Sequence, residues 1–135
     1  GDMAQAVRLL GHPHILTGTV VSGRRLGRTI GIPTANLALP EGLLVPRFGV
    51  YAAKACFDGR ALPAVVNIGT RPTVGGIGVT VETWILDYDG DLYGKPLRLE
   101  FYEFLRPEQK FPSLNALREA ILHNAGQTRA FFAEK

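Results

Sequence analysis

GTVVSGRRLGRTIGIPTAN, Gly18 to Asn36, opens as an apolar, strand-like stretch and passes into a loop in which Gly23, Gly27 and Gly31 alternate with Arg24, Arg25 and Arg28. It ends on the stiff tetrapeptide Pro33-Thr34-Ala35-Asn36. Glycine reaches positive φ and lets the backbone approach a ligand, so successive N–H groups can form an anion-binding nest. Arginine adds a forked donor that matches phosphate oxygens. Pro33 fixes its own φ and pushes Ile32 toward extended geometry, which puts Thr34 and Asn36, two residues apart, on one side of a rigid segment. A hydroxyl and an amide carbonyl are neutral hard ligands that suit Mg²⁺, whose other partners are waters and substrate phosphates. This run therefore predicts a site for a magnesium nucleotide. The competing use of Thr34 and Asn36, as turn residues bonded to local backbone, is common in loops.

Outward from this run the pattern is mostly β. Period-2 alternation predicts strands over Ile15–Ser22, Gly49–Phe57, Leu62–Ile68, Val79–Leu86 and Leu97–Leu105. Asp58-Gly59 between the second and third is a tight hairpin signal. After Pro112 the period changes. Ser113 can cap a helix in which Leu114, Leu117, Ile121 and Leu122 recur, and Gly126 is expected to interrupt it, leaving the tail as a second short helix or a frayed end. Strands followed by one late helix fit a closed barrel with the helix packed on it, although periodicity does not separate a barrel from a sandwich.

Composition sets outer limits. The 135 residues suit one domain; 16 glycines and 9 prolines favour short strands and many turns. A net charge of +3 gives only a mild preference for anions. The lone Cys56 cannot form an internal disulfide and fits a reducing cytoplasm. Nothing approaches the length of a membrane span. GxxxxGK[ST] is absent, which excludes a P-loop enzyme. Asp87, Asp89 and Asp91 have the acidic spacing of a calcium loop, but Gly90 is misplaced and Arg98 stands where the closing glutamate belongs, so a turn is the better reading. His12, His14 and His123 make no zinc spacing.

The tetrapeptide with its glycine-rich loop resembles the signature of riboflavin kinases. The resemblance extends over residues 9 to 124 through Asn67-Ile68-Gly69-Thr70-Arg71-Pro72-Thr73, Val81-Glu82, Asp87 with Asp91-Leu92-Tyr93-Gly94, and Leu105-Arg106-Pro107-Glu108 with Lys110-Phe111. It implies a six-stranded Greek-key antiparallel β-barrel with a C-terminal helix and a loop flap over the nucleotide. One strand is then unassigned, and Gly42–Pro46 or Asp91–Tyr93 is the expected source. Leu9-Leu10-Gly11-His12-Pro13 is similar to the lead-in of the kinase module in bacterial bifunctional FAD synthetases, which implies an FMN adenylyltransferase domain upstream in the full-length protein. Residues 1–13 are accordingly read as a cloning remnant and lead-in, and 14–135 as the kinase domain.

The resemblance implies transfer of phosphate from ATP to the ribityl 5′-hydroxyl of riboflavin, giving FMN and ADP with Mg²⁺ assisting. Gly18, Gly23, Gly27, Arg28, Gly31, Pro33, Thr34 and Asn36 form the expected ATP set, with Thr34 and Asn36 on the metal. Glu82 matches the family's proposed base. By alternation Glu82 and Trp84 share one strand face and Val79, Val81 and Ile85 the other, so the carboxylate points away from the aliphatic side, where a strand glutamate is ordinarily solvated. Asn67 and Arg71, read as lying at a strand end, are candidates for phosphate or flavin contact or for stabilising a turn. Phe104, Arg106, Phe111, Leu117 and Ile121 could line a flavin slot, though most of them also suit barrel-to-helix packing, and Arg106 is the preferred contact on the flavin or phosphate side. The chain departs from the family at Trp84, where histidine is common, and at Asn124, where aspartate is frequent. Gly75-Gly76-Ile77-Gly78 reads as a mobile loop before the strand of Glu82. A non-catalytic flavin or nucleotide-binding regulatory barrel, and a small nucleic-acid-binding barrel, are the alternatives. Intact Thr34, Asn36 and Glu82 argue against the first. The lack of a basic stripe with exposed aromatics argues against the second.

Overall fold

The computed structural model describes residues 14–23, 34–38, 47–73, 76–88 and 92–133. Among these residues lie six strands: β1 His14–Gly23, β2 Ala35–Ala38, β3 Gly49–Phe57, β4 Arg60–Thr73, β5 Gly76–Ile85 and β6 Pro96–Arg106. They are followed by one helix, α1, Leu114–Ala133. All pairings are antiparallel and the sheet closes on itself in the order β1-β2-β5-β4-β3-β6, the barrel the resemblance implies.

Alternation decides what each strand puts inside. Leu16, Tyr51, Val66, Val81, Leu99 and Phe101 project inward and are almost wholly buried. Tyr51 stacks on Phe101 with ring centroids 5.1 Å apart and meets Phe104 edge-on at 5.2 Å. Closure leaves no free edge, so strands as short as β2 are held from both sides. The β3–β4 hairpin turns at Asp58 and Gly59, both at positive φ (49° and 75°), the geometry of the tight turn that matches strand twist.

The sixth strand is Ala35–Ala38, not Gly42–Pro46 or Asp91–Tyr93: the end of the Pro33–Asn36 tetrapeptide is itself a strand. Tyr93 lies in a turn, whereas residues 39–46 and 89–91 fall outside the described residues. β4 runs well past Ile68, so Asn67 and Arg71 lie within a strand and not at its end. Gly76 to Gly78 are paired with β4 as the start of β5, so the glycines there belong to a strand and not to a loop. Gly126 does not interrupt α1. It sits on the exposed side, where helix propensity alone opposes it, at a cost of about 1 kcal/mol relative to alanine that packing on either side offsets.

α1 begins where Ser113 predicts, with the Ser113 Oγ accepting from the Ala116 N–H at 3.1 Å. It packs on the outside of β3 and β4. Leu117 and Ile121 turn toward the barrel, while Leu114 and Leu122 are exposed; the fully buried helix positions are Asn124, Ala125 and Thr128. Val50, Val65, Leu86 and Ala125 form the apolar contact there, with Trp84 and Leu105 packed against them. Among the described residues no helix is long and apolar enough to cross a membrane.

Candidate active site

One rung of the sheet passes through all six strands. Ser22 pairs with Asn36, Asn36 with Glu82, Glu82 with Asn67, Asn67 with Val50, and Val50 with Arg106. Directly opposed residues point to the same side, about 4.5–5.5 Å apart at Cβ. This rung therefore gathers Asn36, Glu82, Asn67 and Arg106 on the outer surface of the barrel, from strands distant in sequence.

A cleft of about 550 Å³, including space open to solvent at its mouth, lies where this surface meets the helix. Thr34, Asn67 and Glu82 line one part of it. Arg106, Glu108 and Gln109 supply its other polar groups, and Val50, Val65, Trp84, Phe111, Leu117 and Ile121 complete the walls. An apolar, partly aromatic slot with a few polar groups is the usual form of a site for a flat organic ligand.

The polar groups on this side have unmet hydrogen-bonding capacity. Among the described residues, Thr34 Oγ1, Asn36 Oδ1 and Asn67 Oδ1 are buried without a hydrogen-bond partner. Burial of an unsatisfied acceptor costs on the order of 1–3 kcal/mol, so these three oxygens retain hydrogen-bonding and coordinating capacity. Hydroxyl and amide oxygens are the neutral hard donors that a divalent cation or a phosphate-bound water network takes up. Thr34 and Asn36, predicted as metal ligands, fit such an ion on this ground. Glu82, half-buried, stands between Asn36 and Asn67 in the register. Its face is the one that alternation assigns, but that face is covered by the helix-side cleft instead of open solvent.

Arg106 is half-buried, and desolvation lowers its pKa from the ordinary arginine value without discharging it. Its guanidinium carbon lies 5.2 Å from the centroid of Phe111, and its Nε donates to Asn124 Oδ1 at 3.0 Å. The Pro107–Phe111 segment crosses beside it. Glu108 leans over Gly69 so closely that a Cβ at Gly69 would collide with the carboxylate.

The remaining predicted residues separate into two groups. Gly18 is buried in β1 opposite Leu97, which projects into the barrel, and does not line the cleft. Gly23 ends β1 opposite Ala35, and Arg71 lies in β4 opposite Gly78. Gly27, Arg28, Gly31 and Pro33 lie outside the described residues. Of the proposed flavin slot, Arg106, Phe111, Leu117 and Ile121 line the cleft, whereas Phe104 packs on Tyr51. Trp84 stands out in the sequence only as a departure, yet it is a wall of the cleft. Glu108 and Gln109 also line it. Asn124 holds Arg106, and its spacing from Leu117 and Ile121 on one helix face is the signal that could have found it.

A family model described as flavokinase, riboflavin kinase, matches residues 10–132. The chain belongs to the riboflavin kinase family. Among curated relatives, the bifunctional riboflavin kinase/FMN adenylyltransferase of Escherichia coli (strain K12) is 45% identical over 132 residues, 97% of this chain and 42% of that protein. The chain thus spans less than half the length of that flavokinase relative. The structure of riboflavin kinase from Trypanosoma brucei superposes with a TM-score of 0.66 at 26% identity, covering 90% of this chain and 81% of that one. A Streptococcus pneumoniae crystal structure described as a macrolide-efflux protein superposes with a TM-score of 0.87 at 32% identity, covering 94% of this chain and 42% of that one.

Proposed function

We propose that this domain transfers the terminal phosphate of ATP to the ribityl 5′-hydroxyl of riboflavin. The observation that carries the reading is the cross-strand placement of Glu82 between Asn36 and Asn67, at a cleft that is polar on this side and elsewhere lined by Trp84, Phe111, Leu117 and Ile121. The apolar walls suit the isoalloxazine ring, and the polar end suits the alcohol and the phosphates. Glu82 accepts the hydroxyl proton as attack proceeds and holds that oxygen in line. Phosphoryl transfer asks little covalent chemistry of the protein, so alignment and charge neutralisation supply most of the rate. Thr34 and Asn36 would hold Mg²⁺, which when bound neutralises charge on the phosphate oxygens. From the sequence, the glycine and arginine run before them is assigned to the nucleotide phosphates, with Arg28 on a phosphate. Arg106 takes the flavin side of the cleft.

The E. coli relative's name supports a second part of the proposal, that an FMN adenylyltransferase domain accompanies this one in the full-length protein. The free Cys56 thiol is compatible with the cytoplasm as the setting. Incubation with riboflavin and MgATP, followed by chromatography, should yield FMN and ADP in equal amounts. Tight riboflavin binding with no FMN formed would instead favour a regulatory barrel.

A further inference from the structure

Arg106 is fixed on three sides. Its Nε donates to Asn124 Oδ1 at 3.0 Å, its Nη1 reaches toward the Pro107 carbonyl at 3.4 Å, and its guanidinium carbon lies 5.2 Å from the Phe111 ring centroid. Among the described residues Arg106 makes no ion pair, and none of these contacts occupies Nη2. A planar cation held by one edge and one face presents its remaining N–H pair in a fixed direction, on a residue that lines the cleft.

Asn124 is only 2% exposed, so its amide is committed to what surrounds it. An arginine Nε–H can only donate, which makes the atom facing it the amide oxygen. The amide nitrogen then donates to Gln127 Oε1 at 2.8 Å, one helical turn on. The chain Gln127–Asn124–Arg106 is thus satisfied in one orientation and not in the flipped one. Asn124 does not itself line the cleft.

We propose that Asn124 is a positioning residue for the flavin: it aims the Arg106 guanidinium so that the free N–H edge meets the carbonyl-bearing rim of the isoalloxazine ring. This inference rests on the proposed flavin site. Because Asn124 is neutral, it orients Arg106 without cancelling its charge, and the cleft keeps a full positive charge beside an electron-rich ring edge. A carboxylate at 124 would occupy the same volume, accept from Arg106 in the same place, and find a donor in the turned amide of Gln127. Asparagine and aspartate are therefore exchangeable for aiming.

The test is a double-mutant cycle read by binding. Riboflavin affinity is measured from quenching of its fluorescence, and MgADP affinity by calorimetry, for wild type, Asn124→Ala, Asn124→Leu, Asn124→Asp, Arg106→Lys and the paired variants. Losing a hydrogen bond that holds a charged group should weaken riboflavin roughly tenfold in Asn124→Ala, with MgADP affinity unchanged. Asn124→Leu keeps the branched outline in a larger side chain and should lose as much, and it covers the case in which the alanine variant fails to fold. Asn124→Asp should bind riboflavin within about threefold of wild type. In the Arg106→Lys background, which lacks Nε, the Asn124 substitutions should add less than about twofold. Three results would overturn the proposal: full riboflavin affinity in Asn124→Leu, an equal loss of MgADP affinity, or an undiminished tenfold effect in Arg106→Lys. Wild type that binds no riboflavin would remove the flavin site itself, and this inference with it.

Discussion

The two faces of the barrel wall are built from alternate residues of the same strands and differ completely in character. Inward, Tyr51, Val66, Val81, Leu99 and Phe101 belong to one apolar cluster, buried almost without exception. Outward, beneath the helix, the apolar contact is small, and the positions beside it hold Asn36, Glu82, Asn67 and Arg106. Three of the four buried side-chain atoms that lack a hydrogen-bond partner among the described residues are Thr34 Oγ1, Asn36 Oδ1 and Asn67 Oδ1, associated with the outer rung and its cleft. The inner face secures the fold; on the function proposed above, the outer face spends stability on groups kept for a ligand. The division is sharp because a strand cannot shift by one residue without exchanging its two faces.

If this division holds, a change on one face should affect activity without stability, and a change on the other should do the reverse. Glu82→Gln keeps the volume and removes the charge, and with it the ability to accept a proton. Riboflavin turnover should fall on the order of a hundredfold or more, while flavin and nucleotide binding and the urea midpoint stay close to wild type. A variant that keeps its turnover would remove Glu82 from the chemistry and leave the outer rung as packing.

Phe101→Ala, on the inner face, should show the opposite profile. Loss of a wholly buried ring stacked on Tyr51 should cost about 3–5 kcal/mol in chemical denaturation. Turnover per folded molecule should survive at temperatures where the variant is still native. A parallel collapse of riboflavin affinity would mean that the two faces are mechanically coupled and the contrast is overstated.

Much of this arrangement is legible from residue order, and the illegible parts share a cause. Gly49–Phe57 reads as a strand to the residue, because its alternation is long and Asp58-Gly59 marks its end. Ala35–Ala38 does not, because a four-residue strand carries too few alternations to register and owes its existence to partners on both sides. The face of Glu82 follows from period 2, but the cleft it lines, walled in part by Leu117 and Ile121 of the helix, does not, since alternation separates faces without saying what lies beside them. Asn67 and Glu82 are fifteen positions apart and meet only through register, set by the β4–β5 pairing. The helix shows the same limit. Leu114 and Leu122 share the apolar signal with Leu117 and Ile121 yet are exposed, while the fully buried positions are Asn124, Ala125 and Thr128, polar or small residues that only a tertiary partner explains.

A smaller effect should come from the hydroxyl of Tyr51, an inner residue with a polar tip. It donates to the Arg47 carbonyl, and burial pushes its pKa up to about 12, with Arg47 pulling the other way. A tyrosine in the unfolded chain ionises near 10. Between about pH 10 and 12 the folded protein therefore holds a proton that the unfolded chain releases, so stability is fully present below pH 10 and declines as the pH rises through this window. Tyr51→Phe should cost about 1 kcal/mol at neutral pH for the lost hydrogen bond and should unfold with a shallower alkaline slope than wild type. Urea midpoints at pH 8, 10 and 11.5 measure both, and equal slopes would mean that the phenol ionises freely in the folded state.

The smallest change separates the two kinds of unpartnered oxygen. Thr83 Oγ1 also lacks a hydrogen-bond partner, but Thr83 belongs to the inner set, 1% exposed and opposite Ala35 and Val66, where no ligand has access. Its hydroxyl therefore has only the cost of desolvation. Thr83→Val replaces that oxygen with a methyl of similar size and should stabilise the barrel by up to about 1 kcal/mol, with riboflavin turnover unchanged. If Asn36 Oδ1 were an orphan of the same sort, replacing Asn36 with leucine would likewise stabilise the protein at no loss of activity. If Asn36 is a ligand of the nucleotide's metal, as proposed, its replacement should instead weaken nucleotide binding and turnover together, because its oxygen is left unpaired for the ion and phosphates that arrive with the substrate. Measured side by side, the pair of substitutions distinguishes a polar atom the fold tolerates from one the reaction requires.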